Sequence, residues 1–102
     1  MVHLADDEIK MVLRVLEYYS PDCNVFAFGS RVKGTHSDTS DLDLVFDCGK
    51  MLEFKRLYEI KTAFELSDLK FRVDVIDYNT VDDEFREIIN KDKELLFTQI
   101  NA

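Results

Sequence analysis

Apolar and polar positions follow two different periods along this chain. Ile9, Val12, Leu13 and Leu16 recur at three- and four-residue spacing, which places them on one face of a helix. Asp6 is a candidate cap, with Asp7 and Glu8 in the first turn, where negative charge suits the helix dipole. Met11, Val15 and Tyr18 form a second stripe, with Lys10, Arg14 and Glu17 between the two. A helix apolar on two sides meets two surfaces: here a sheet, and either the C-terminal segment of the same chain or a partner chain. Ser20-Pro21-Asp22 ends the helix, and Asn24-Val25-Phe26-Ala27-Phe28 reads as a short buried strand stopped by Gly29. Ser30 to Lys33, closed by Gly34, reads as one helical turn. From Asp41 to Asp47 the period becomes two: Leu42, Leu44 and Phe46 face the core, while Asp41, Asp43 and Val45 face the other way.

The helical period returns from Glu53 to Ser67, with Leu57, Ile60 and Phe64 inward, Phe54 and Tyr58 beside them, and Lys55, Lys61 and Glu65 toward water. Phe71 to Asp77 reads as a third strand. Thr80 and Asp83 have the form of a capping box ahead of a short amphipathic helix bearing Phe85, Ile88 and Ile89. Leu95-Leu96-Phe97 returns to a sheet edge or covers the first helix.

With 102 residues and 46 % hydrophobic side chains, one domain spanning 1–102 with a small core is expected. Acidic side chains number 21 against 13 basic, a net charge of −8, which disfavours a surface that binds a nucleic-acid polymer. No apolar run approaches a membrane span, and the first residues lack the basic and apolar regions of a signal peptide, so the expected location is the cytoplasm. Cys23 and Cys48 flank the first two strands. Without a second pair or a histidine at ligand spacing they do not make a zinc site, and reduced structural thiols are expected.

The chemistry concentrates between Phe28 and Phe46. A glycine that ends a strand and opens a helical turn leaves unpartnered N–H groups, which suit a phosphate. Asp41 and Asp43, two apart on a strand, reach one point from the same face, and two anions there call for a cation. Mg²⁺ suits them, because it takes hard oxygen ligands and completes its shell with water and substrate phosphates. Asp74 sits in the middle of an apolar strand, where propensity and burial both disfavour it, and a shared metal would give it a partner. Ser40 is expected to bond the loop backbone, His36 to be solvated, and Asp38 and Asp77 to be surface charges.

Gly29-Ser30, then Ser40-Asp41-Leu42-Asp43-Leu44, then Asp74 within an apolar strand: in this order the chain resembles the nucleotidyltransferases of the DNA polymerase beta superfamily, and most of all their minimal nucleotidyltransferase (MNT) group. The resemblance implies an α+β chain with the polymerase-beta-like nucleotidyltransferase fold, a small mixed sheet with helices packed on it. It implies that Asp41, Asp43 and Asp74 are catalytic and ligate two Mg²⁺ ions, and that Gly29 and Ser30 hold the triphosphate of ATP. Arg31, Lys33 and Ser40 join the nucleotide-binding set. Where the group often reads Gly-Ser-Arg-Ala-Arg-Gly, this chain has Val32 and Lys33, so the second basic residue keeps its charge and loses the guanidinium fork.

The resemblance further implies transfer of AMP from ATP to a tyrosine hydroxyl of a HEPN-domain toxin encoded nearby, with this chain as its antitoxin, in a homo- or hetero-oligomer. Two alternatives stand beside it: an antitoxin that binds without catalysis, and transfer to a hydroxyl of a small molecule.

Overall fold

The computed structural model describes residues 2–100. Among them the order is α1 (Asp6–Tyr19), β1 (Asn24–Phe28), α2 (Ser30–Lys33), β2 (Leu42–Asp47), α3 (Phe54–Glu65), β3 (Val73–Asp77), α4 (Asp83–Asp92) and β4 (Glu94–Phe97). The sheet runs β3-β2-β1-β4. β1 is antiparallel to β2 and β4, and β2 and β3 are parallel, joined by α3 as the crossover that parallel strands require. The mixed sheet expected of the family is therefore present, and Leu95 to Phe97 fall on an edge strand.

Strand alternation divides the side chains between two layers. Val25, Ala27, Leu42, Leu44 and Phe46 point to one face, where Val12 and Leu16 of α1 and Ile60 and Phe64 of α3 close over them. Each such large side chain contributes about 1.5–3 kcal/mol on burial. The second face has its own small packing unit: Val45 and Ile89 are fully buried outside the main cluster, and Phe85 of α4 meets the Phe28 ring edge-on at 6.1 Å between centroids. One end of that face is thus covered by α4, and Val45 is buried, although it shares a side with the aspartates.

Several local expectations shift. Asp6 is the first helical residue of α1 instead of its cap; the Ala5 N–H is held by the Glu8 carboxylate at 2.8 Å. The cap of α4 is Asp82, which accepts from the Phe85 N–H at 2.8 Å, while the Thr80 hydroxyl donates to the Asp77 carbonyl. Phe54 and Tyr58 point outward, Phe54 at 85 % exposure. The second stripe on α1 divides: Val15 packs on the core and Tyr18 is 78 % exposed.

Asp77 is a further correction. It is 6 % exposed, and its carboxylate accepts from the N–H groups of Leu52 and Asn79 at 2.8 and 3.0 Å, so it pins the entry to α3. Cys23 and Cys48 form a disulfide, not two free thiols. The β1–β2 register that pairs Asn24 with Asp47 places the two cysteines opposite each other one step further out. No helix among the described residues is long and apolar enough to cross a membrane.

Candidate active site

The site is a product of register. Asp43 pairs with Phe28 on one side and with Asp74 on the other, and Asp41 lies one residue before β2 begins. Cross-strand partners share a face, as do residues two apart, so all three carboxylates are directed to the face whose far end α4 covers. Gly29 follows Phe28 directly and is therefore delivered to Asp43. Its φ of +82° and ψ of −154° lie in a region that only glycine occupies readily. A Cβ at this position would overlap the Asp43 Oδ2 atom.

Ser30 opens α2, whose first intrahelical bonds are those of Val32 and Lys33 to the Gly29 carbonyl. The N–H groups of Ser30 and Arg31 precede them, as in any helix start. Gly34, in the left-handed conformation, closes the turn. Gly29 is accordingly brought to the Asp43 carboxylate, and Ser30 follows it in the chain.

Asp43 shows what it means to gather like charges at a half-buried point. Burial first, and then the carboxylates of Asp74 and Asp41, push its carboxyl up to about 6. The compensating cation within the protein is Arg72, which carried no assigned role in the sequence. Its Nη2 donates to Asp41 Oδ2 at 3.0 Å, and its Nε stands 3.7 Å from Asp74 Oδ1. Parity could have found it: Arg72 lies two before Asp74 and, by the parallel register, opposite Asp41. Among the described residues, no three His, Cys, Asp or Glu side chains are gathered into a ready metal cluster.

Three other members of the expected nucleotide-binding set have different partners here. Arg31 is corrected from a phosphate contact to an internal clamp. It is 3 % exposed, donates to the carbonyls of Ser40 at 2.9 Å, His3 at 3.0 Å and Asp38 at 3.0 Å, and lies 4.0 Å over the Phe71 ring. Lys33 pairs with Asp92 of α4 at 3.4 Å. The Ser40 hydroxyl accepts from the Ser37 N–H at 2.8 Å and so holds the loop ahead of β2, as expected. His36 is not simply solvated: its ring sits 5.1 Å from that of His3, and its Nδ1 is buried without a partner.

Replacing Arg31 by alanine should lower stability by about 2–3 kcal/mol, because charged hydrogen bonds are lost and buried carbonyls are left unpaired. For a domain of this size that is a fall of roughly 10 °C or more in the thermal midpoint. Lysine should not restore it, since one ammonium cannot serve the several carbonyls that a planar fork reaches. A lysine variant melting with the wild type would refute the clamp.

A carboxylate set on two adjoining strands, facing a glycine-opened turn within a mixed α+β sheet, is the framework of a nucleotidyl-transfer domain. The chain belongs to the family described as polymerase beta, nucleotidyltransferase, which it matches over residues 13–101. It is a nucleotidyltransferase. It is similar to a Haemophilus influenzae protein described as a probable protein adenylyltransferase, MntA, with 43 % identity over 88 residues, 86 % of this chain and 77 % of the relative. In fold it resembles a chain of a toxin-antitoxin complex with AMP-PNP: TM-score 0.73 at 20 % identity, covering 89 % of this chain and 73 % of that one. A chain from the complex of tri-AMPylated Shewanella oneidensis HEPN toxin with MNT antitoxin gives a TM-score of 0.67 at 15 % identity, covering 89 % and 70 %.

Proposed function

We propose that this nucleotidyltransferase moves AMP from ATP to a tyrosine hydroxyl of a HEPN-domain toxin encoded nearby, and acts as its antitoxin. The observation that carries the reading is the 43 % identity, over most of both chains, to a relative described as a protein adenylyltransferase. The likeness in fold to chains of toxin-antitoxin complexes agrees with it.

Gly29 and Ser30 receive the triphosphate through backbone N–H groups and the Ser30 hydroxyl. Asp41, Asp43 and Asp74 would hold Mg²⁺, in two ions. Their hard carboxylate oxygens suit it, and a cation would ease the Asp43 carboxyl, which burial first and the carboxylates of Asp74 and Asp41 after it raise to about 6. When bound, such ions neutralise phosphate charge and orient the attacking and leaving oxygens. Asp74 faces the incoming hydroxyl and takes its proton. Arg72, on the rim, offsets the charge of Asp41 and Asp74 before substrate arrives.

The test is intact-mass spectrometry of the HEPN-domain protein after incubation with this chain, Mg²⁺ and each nucleoside triphosphate in turn. A gain of one or more AMP units with ATP, located on tyrosine and missing with the Asp43→Asn variant, is the expected result. A stable complex without any gain in mass would instead identify an antitoxin that acts by contact.

A further inference from the structure

A groove of about 610 Å³ runs beside β3. Lys61, Phe64 and Glu65 of α3 wall it on one side, and β3 with the residues just before it lines the other, Val73 and Val75 from one face and Arg72 and Asp74 from the opposite one. Residues of both parities can line one cavity where a strand has an open edge, because alternate side chains leave a sheet in opposite directions. β3 is such a strand: among the described residues it pairs with β2 on one side only.

The ladder tells which main-chain groups are left over. The Arg72 carbonyl accepts from the Leu42 N–H at 2.9 Å, and the Tyr78 N–H donates to the Phe46 carbonyl at 3.0 Å. Even-numbered residues of β3 thus direct their backbone to β2. Alternation turns the N–H and C=O groups of Val73 and Val75 outward, into the groove.

We propose that this edge is the docking site of the acceptor: an extended, hydroxyl-bearing segment of a protein, flanked by Lys or Arg, that adds to the sheet as a further strand along Val73 to Val75. The proposal rests on the adenylyl-transfer reading above and supplies what that reading lacks, a place for the acceptor. A residue of the added strand directly beside Asp74 shares its face, since cross-strand neighbours point the same way. Its hydroxyl then lies over the same face as Asp43 and Asp74. In the transfer, the hydroxyl oxygen bonds to the α-phosphorus of ATP and the bond from that phosphorus to the oxygen bridging to the β-phosphate breaks. Pyrophosphate leaves, and the hydroxyl proton passes to the Asp74 carboxylate.

Charge decides between occupants. Two copies of this chain paired edge to edge would bring two sets of Asp41, Asp43 and Asp74 onto one sheet, in chains that each carry −8. A basic segment meets the −8 of the chain with opposite charge.

The test uses the intact protein and a synthetic peptide with a central tyrosine, valine and threonine on either side of it, and two lysines at each end. Amide hydrogen exchange at Val73 and Val75 is followed by NMR with and without the peptide. The mass of the peptide is then measured after addition of ATP and Mg²⁺. Exchange at these two amides should slow at least tenfold, without a matching change along β4, and the peptide should gain AMP. Slowed exchange with no mass gain supports the docking edge and counts against adenylyl transfer. A mass gain with both amides unprotected, or unchanged exchange at millimolar peptide, overturns the docking edge. Concentration-dependent slowing of the same amides in the protein alone assigns the edge to a second copy and also overturns the proposal.

Discussion

Asparagine in place of Asp43 should abolish transfer and, at neutral pH, make the protein harder to unfold. The first effect follows from the position of Asp43, between Asp74 on one strand and Gly29 beyond the other. Losing a charged ligand at the centre of such a site should lower the rate by about 10³-fold or more. The second effect follows from linkage. The folded protein holds this carboxyl at about 6, above its ordinary 3.8, so between those values the folded state binds more proton than the unfolded chain. Stability therefore falls as pH rises from about 4 to about 6, and the penalty is fully present above 6. Asparagine carries no charge and escapes it. Because Asp43 is only half-buried, solvent screening reduces the full shift to a gain of about 1 kcal/mol at pH 7.5. Urea unfolding at pH 7.5 and pH 5 measures it: the advantage of the variant should shrink at the lower pH. A variant less stable than wild type at pH 7.5 would contradict the electrostatic account.

Alanine at Gly29 is expected to be nearly as damaging, by a different route. The backbone there has φ +82° and ψ −154°, a conformation that costs a side-chain-bearing residue about 1–3 kcal/mol. The new Cβ would also displace the Asp43 carboxylate from the turn it faces. A misplacement of that order can lower a rate by about 10²-fold. Gly49 provides the control: its φ is +76°, and a Cβ there meets nothing within 4 Å. Gly49→Ala should lose comparable stability and keep its transfer rate, as judged by thermal melts alongside the mass assay. Equal loss of transfer in the two variants would mean that backbone strain alone, not contact with Asp43, governs the site.

The parts of this structure that were legible in the sequence are those fixed by short-range pattern and local chemistry. The alternation from Asp41 to Phe46 gave β2 its two faces, and Asp74 was conspicuous because a carboxylate does not belong in an apolar strand without a reason. The parts that were not legible depend on long-range partners. An arginine after Gly-Ser reads as a phosphate ligand, and only the packed structure shows its guanidinium turned to the His3 carbonyl and the Phe71 ring. Asp77 reads as surface charge until the Leu52 N–H, 25 residues away, is found bonded to it. Cys23 and Cys48 meet because of strand register, which their spacing does not state. Arg72 is silent in the sequence because its role is relational: it matters only once β3 is aligned with Asp41.

The two ends of the described chain leave the domain in very different company. The His3 N–H donates to the Arg31 carbonyl at 2.7 Å, and its own carbonyl accepts from the Arg31 guanidinium, so the segment ahead of α1 is laced to α2. At the other terminus the Ile100 N–H donates to the Pro21 carbonyl, and the Gln99 N–H to the Asn24 side chain, at the opposite end of β1. A fluorescent label carried at His3 would therefore report on the Arg31 clamp and on the loop that Arg31 holds ahead of β2. The same label carried at Gln99 would sit at the other end of β1, against Pro21 and Asn24, and leave that clamp untouched.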